Sequence, residues 1–147
     1  MADFVTYQLK GTETLSARFR QFSQDMREKV ARPAAKEAMG LVLDDAKDRA
    51  LRIDDPETRN VIAKNIGMVE RKDEGAELGA VIFSVGVRNT RARQRGGATF
   101  YWHMVELGTE HSRARPFLRP ALSNNREAVF KAFIGAAKAE LLTLGVS

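Results

Sequence analysis

Three polar side chains in one short stretch have the types that do chemistry: His103, Glu106 and His111. Two imidazoles and a carboxylate are a donor set for zinc, or the parts of an acid–base pair. An enzyme using Glu106 with His103 or His111 is the weakest of the readings, and the spacing does not suit zinc. A zinc-protease helix sets its two His four residues apart with a Glu between them, so that one face presents the set. Here His111 falls beyond Gly108 in a polar link. Glu106 stands among apolar neighbours just before that Gly. A carboxylate so placed accepts hydrogen bonds from backbone N–H groups or from an Arg, with Arg115 and Arg119 the nearby candidates; a catalytic acid is the competing role. Asp44 and Asp45 are adjacent on an expected helix, where neighbours point in different directions, so they make a poor metal pair. Gly96-Gly97 follows an Arg run without the Lys-Ser/Thr pair of a phosphate loop, and no Ser lies in a nucleophile elbow. Cys is absent, which removes disulfides, thiolate metal sites and thiol nucleophiles and fits a reducing compartment. The expectation is a protein with no catalytic residue, no cofactor and no metal.

A second cluster is basic. Arg88, Arg91, Arg93 and Arg95 crowd together ahead of Gly96-Gly97, with few apolar residues to anchor them. A flexible loop is expected at about 88–98. Arginine binds phosphate both as a charge and as a hydrogen-bond fork, so the loop could touch a nucleic-acid backbone. A solvated loop, or one ordered by a protein partner, is the competing reading. The net charge of +5 and the pI near 9.8 permit nucleic-acid contact without demanding it.

The elements that must position these residues fit one domain over 1–147. With 44% hydrophobic and 29% charged residues, 147 residues bury a core without a staple. Met1-Ala2-Asp3-Phe4 has no basic start leading into an apolar run, so no signal peptide is expected. No apolar run reaches the roughly 20 residues that span a bilayer, so no membrane partner is expected.

Phe4 to Leu9 alternates as a short strand. Thr12 or Thr14 then opens a helix whose stripe is Leu15, Phe19, Phe22, Met26 and Val30, expected in the core. Arg32-Pro33 predicts a break, and a second helix from Pro33 to about Leu51 buries Ala35, Met39, Val42, Ala46 and Ala50. After the Asp54–Thr58 turn, Val61 to Val69 reads as a strand, Lys72 to Glu77 as a polar turn and Ala80 to Val87 as a second strand. The short connection makes them an antiparallel hairpin. The fold class is therefore α+β: a small antiparallel sheet packed by two N-terminal helices and one long C-terminal helix.

Phe100 to Leu122 holds the only Trp, one of two Tyr, both His and two of four Pro. Thr99 can cap a short helix that Gly108 ends, with Tyr101, Met104 and Val105 inward; a strand competes, since Tyr101, His103, Val105 and Leu107 alternate. Pro116 and Pro120 fix two backbone angles and remove two donors, which pins Phe117 and Leu118 and starts the last helix sharply. That helix is expected to run from Pro120 to about Leu144, with Leu118, Leu122, Val129, Phe133 and Ala136 on its inner face.

Val105-Glu106-Leu107-Gly108-Thr109, a short link, then Ala114-Arg115-Pro116-Phe117-Leu118-Arg119-Pro120-Ala121-Leu122 resembles the signature of a phage tail-component family. These are the tail-completion, or neck, proteins of lambdoid and related long-tailed phages, often named after gene product ten of phage HK97. The resemblance implies a virion structural protein of a tailed phage, prophage or gene-transfer particle, assembled in the bacterial cytoplasm. It implies a ring, six copies by resemblance, at the head–tail joint. Its neighbours would be the head connector or stopper on one side and a tail-terminator or tail-tube protein on the other. It brings no catalytic residues. Tyr101, Trp102, Glu106, Gly108, Thr109, Arg115, Pro116, Phe117, Leu118, Arg119 and Pro120 would be its structural and assembly motif. Arg88, Arg91, Arg93 and Arg95 would face the lumen or a partner, with weak, salt-sensitive contact to packaged DNA. A basic nucleic-acid-binding module using the same Arg loop is the alternative function.

Overall fold

One rod of helix, unbroken from Thr12 to Ile53, sets the frame in a computed structural model that describes residues 12–57, 60–88 and 97–145. The strand expected at Phe4–Leu9, and Arg91, Arg93 and Arg95 of the basic loop, lie outside those residues. The rod comprises α1 (Thr12–Asp25), a π-helical turn (Met26–Ala31) and α2 (Arg32–Ile53). The break expected at Arg32-Pro33 does not occur. Arg32 stays in right-handed helical geometry, and its N–H donates to the Arg27 carbonyl five residues back. Proline has no N–H to give, and its ring crowds the carbonyl one turn earlier. The wider π turn takes up that crowding, so Pro33 sits in the first turn of α2 without ending the rod.

Of the apolar stripe that begins in α1, the side chains of Leu15 and Phe19 lie outside the described residues. Val30 is buried and Met26 half-buried, but Phe22 is 54% exposed, contrary to the core position expected for it. Along α2 the buried residues are Ala34, Ala38, Val42, Ala46 and Ala50. The expected stripe was right in its second half and one residue off in its first, where Ala35 and Met39 are only half-buried. Residues strictly four apart form a ridge along α2, and α7 (Arg126–Thr143) packs on α2. Four of the five ridge residues are Ala, and Ala46 lies in the part of the ridge that meets Ile62, Phe117 and Ala121. Ala46 has no exposed surface. Ala46→Leu is therefore expected to cost about 1–3 kcal/mol through overpacking, read as a lower urea midpoint. An unchanged midpoint would show room at that contact.

Beyond α2 the chain forms α3 (Ile62–Asn65), β1 (Ile66–Glu70), α4 (Lys72–Leu78) and β2 (Phe83–Val87). The hairpin is antiparallel as expected, with Ile66 opposite Val87 and Glu70 opposite Phe83. Two stretches differ from their expected form. Residues 62–65 are helical rather than extended because the Asp54 carboxylate, from the C-cap of α2, accepts the Ile62 N–H at 3.0 Å and the Ala63 N–H at 3.2 Å. Residues 72–78 form a helix rather than a turn. Gly79, at φ +63°, closes it by donating to Ala76 and Gly75 carbonyls. A two-stranded sheet is marginal alone, and α2 backs both strands. An ion pair of 2.8 Å between Arg32 and Glu70 ties the far end of β1 to the start of α2.

The C-terminal part is α5 (Trp102–Leu107), α6 (Leu118–Asn124) and α7. The single last helix expected from Pro120 is two helices hinged at Asn125 (φ −103°, ψ 5°). Its side-chain amide donates to the Ala121 carbonyl at 2.8 Å and to Asp45 at 2.7 Å, which docks the hinge on α2. Ala121 is fully buried, while Leu122, expected inside, is 51% exposed. The result is an α+β fold, with its core formed by Val42, Ala46, Ala50, Ile62, Ala63, Ile66, Phe117 and Ala121.

Candidate functional site

The chemistry-bearing stretch is organised by one carboxylate. Glu106 lies in the last turn of α5 and is 5% exposed. Its Oε2 accepts the N–H of Phe117 at 2.7 Å and of Leu118 at 3.0 Å, and its Oε1 accepts the N–H of Arg119 at 2.9 Å. The start of a helix leaves its first N–H groups without partners, and no side chain of α6 supplies a cap. Glu106 meets three of them. The next residue, Pro120, has no N–H, so the opening turn of α6 is fully accounted for. Its partners are thus backbone N–H groups and not an Arg side chain. A carboxylate held this way has both oxygens engaged by backbone N–H groups.

The link between α5 and α6 folds back on the same helix. Arg115 N–H donates to the Val105 carbonyl at 2.8 Å, and Thr109 N–H to Ser112 at 2.8 Å. Gly108 has φ +78°, the positive angle expected of it, and a Cβ there would lie 2.8 Å from the Ala114 nitrogen. The fold-back therefore needs Gly for its angle and for its clearance. Phe117, with no exposed surface, plugs the core directly below the capped turn. The segment is helical and not extended. Tyr101, Trp102 and Val105 are half-buried against the core; Met104, expected inward, is 46% exposed. Thr109, Arg115, Pro116 and Arg119 are exposed, and Leu118 and Pro120 half-buried.

Thr99 was expected to cap α5 with its side chain. It is instead wholly buried, and its hydroxyl accepts from the Asn65 amide at 2.7 Å. The same amide donates to the Gly97 carbonyl at 3.1 Å, while the Asn65 carbonyl accepts the Arg88 N–H at 2.7 Å. Both described ends of the basic segment are thus held at one residue. Nothing in a lone Asn at position 65 signals this, because its partners lie more than twenty residues away in sequence. Of the four loop arginines only Arg88 is described. It is exposed, and its side chain lies across Gly67, where a Cβ would come within 2.8 Å of its Nε.

His103 and His111 are both exposed, and His103 meets the edge of Trp102 at 5.9 Å. Among the described residues no three His, Asp or Glu side chains are placed to hold a metal, and no helix is long and apolar enough to cross a membrane. Burial, with the Asp54 and Asp55 carboxylates nearby, pushes the Tyr101 phenol above the ordinary tyrosine value of 10.0. The folded state then holds a proton that the unfolded state releases, so stability falls as pH rises past that value. Tyr101→Phe is expected to remove part of the drop in melting temperature between neutral and strongly alkaline pH. An identical drop in the variant would contradict the shift.

Residues 13–108, about two-thirds of the chain, match the model of a family described as "Bacteriophage HK97-gp10, putative tail-component". The match takes in the rod, the hairpin and α5 with Glu106 and Gly108, and stops short of the segment whose N–H groups Glu106 caps. No curated protein and no solved structure matches the chain.

Proposed function

The chain belongs to the HK97-gp10-like family of bacteriophage tail components, and from that premise we propose that it is a structural protein of the head–tail joint. On this reading residues 1–147 act as one tail-component domain in a ring of six copies. One face meets the head connector or stopper, and the other meets the tail-terminator or tail-tube protein. A ring requires two different surfaces on each copy, because contacts are heterologous around a closed cycle. The observation that carries the reading, beyond family membership, is surface composition. Phe22, Leu51, Leu78, Phe100, Leu107, Leu122, Phe130 and Leu142 are each more than half exposed. They are spread over α1, α2, α4, α5, α6, α7 and the turn before α5, as a subunit with several neighbours would need.

The reading includes no catalytic step. Glu106, the carboxylate best placed by sequence for acid–base work, is occupied by three backbone N–H groups. The capped α6 and the Gly108 fold-back would fix the shape of an assembly face rather than a pocket. Gold labelling of a tagged copy in purified particles tests the position. Label at the junction of head and tail supports the joint. Label along the tail tube, or at its tip, would overturn it.

A further inference from the structure

Between Glu37 and Leu51 the exposed residues of α2 are Glu37, Leu41, Asp44, Asp48 and Leu51. Their spacing alternates between four and three, which keeps them in one line on the side of the helix away from the buried ridge of Ala34 to Ala50. It is the spacing of a seam that lies against another element. The line holds three carboxylates and no base, and among the described residues none of the three forms an ion pair. Lys36 and Arg52 are exposed beyond its two ends, and Lys47 beside it is half-buried. Leu41 is 40% and Leu51 56% exposed. Two such stripes would set like charges together, so the same stripe on a second copy is a poor partner.

A groove of the opposite sign lies earlier along the same rod. Its polar part is lined by Arg20, Arg27, Arg32 and Lys72, with Glu28 and Glu70. Arg32 already answers Glu70 at 2.8 Å, which leaves Arg20, Arg27 and Lys72 in excess over Glu28. Arg27 and Lys72 form no ion pair among the described residues. The carboxylates of α4, Asp73, Glu74 and Glu77, do not line the groove. Its apolar part shares Ser23, Arg27 and Ala80 with the polar part, and is lined by Phe22, Met26, Val30, Val81, Phe133 and Leu141. From Arg20 to Arg32 the groove follows the rod for about 18 Å, and the stripe from Glu37 to Leu51 is about 21 Å long. Arg20 and Arg27 are seven residues apart, as are Glu37 and Asp44. The two leucines supply anchors for the apolar part, and the acids meet the basic part. We infer that the Glu37–Leu51 stripe of one copy lies in this groove of a second copy. The two surfaces share no residue, so the contact is heterologous and repeats from copy to copy. It deepens the ring reading by naming the two surfaces that meet, and rests on that reading only for closure of the cycle.

The test uses the purified full chain. Sedimentation velocity over a concentration series is expected to show the wild type associating with itself. Reversing the stripe (Asp44→Lys with Asp48→Lys) or the groove (Arg20→Glu with Arg27→Glu) is expected to weaken association by roughly tenfold or more. An equal mixture of the two variants should restore it, because each reversed surface then meets its opposite on the other chain. A second measurement leaves the charges in place. The chain has no Cys, so single thiols can be added at Ser23, which lines both parts of the groove, and at Gly40 beside the stripe, where an added side chain meets nothing within 4 Å. A short thiol-to-thiol cross-linker is expected to join Ser23→Cys to Gly40→Cys chains in a mixture, and neither to itself. A wild type that stays monomeric at every concentration overturns the inference. So does a mixture that fails to restore association, or cross-linking of Gly40→Cys chains to one another. Any of these leaves the gold-labelling result untouched, so the contact and the head–tail position fall separately.

Discussion

Glu106→Ala is expected to lower the free energy of unfolding by about 3 kcal/mol. The carboxylate accepts three backbone N–H groups, and hydrogen bonds to a charged group contribute about 1.5–3 kcal/mol each. The three are not additive. Leu118 and Arg119 are close enough to solvent that water can replace part of what is lost, whereas the Phe117 N–H is buried and left without an acceptor. Glu106→Gln keeps the shape and one acceptor oxygen, and is expected to cost about half as much. Urea unfolding of both variants checks the order. If Ala and Gln were equally mild, within about 0.5 kcal/mol of wild type, Glu106 would not be holding α6.

Phe117→Ala is expected to cost about 3–5 kcal/mol, the usual range for emptying a buried aromatic site. The ring has no exposed surface and touches the cluster that joins α2, α3 and β1 to α6. Phe117→Leu refills most of the volume and is expected to cost well under half of that. The two sites also couple. The Phe117 N–H is a Glu106 partner, so a double variant should fall short of the sum of its parts. Strict additivity would mean that cap and plug act independently.

Some of this was legible in the residues. Pro116 and Pro120 restrict the backbone on either side of Phe117, so a pinned aromatic and a sharp helix start could be read directly. Glu106 among apolar neighbours announced a carboxylate that needed donors. The choice between N–H groups and an Arg could not be made, because it depends on how the chain folds back over eleven residues. Gly108 was readable as a positive-φ position; the closeness of Ala114, which also demands Gly, was not. The hairpin was clear from alternation.

Where the structure departs from the expected form, the cause differs from place to place. Val61, Ile62 and Ile66 are β-branched, but residues 62–65 turn helical because Asp54 caps them. Lys72–Leu78 looks like a polar turn because its apolar content is low; Gly79 closes it as a helix. The Arg32-Pro33 break was expected from what proline forbids in an α-helix, and the preceding π turn removes that prohibition. Phe22 was assigned to the core because a helical stripe is usually buried. Here Phe22 is 54% exposed, while Val30, two turns further on, is buried.

The proposed place of this chain, between head and tail, is decided by electron microscopy of particles from a strain with the gene deleted. DNA-filled heads lying apart from finished tails are expected. Joined, infectious particles in normal number would overturn the proposal.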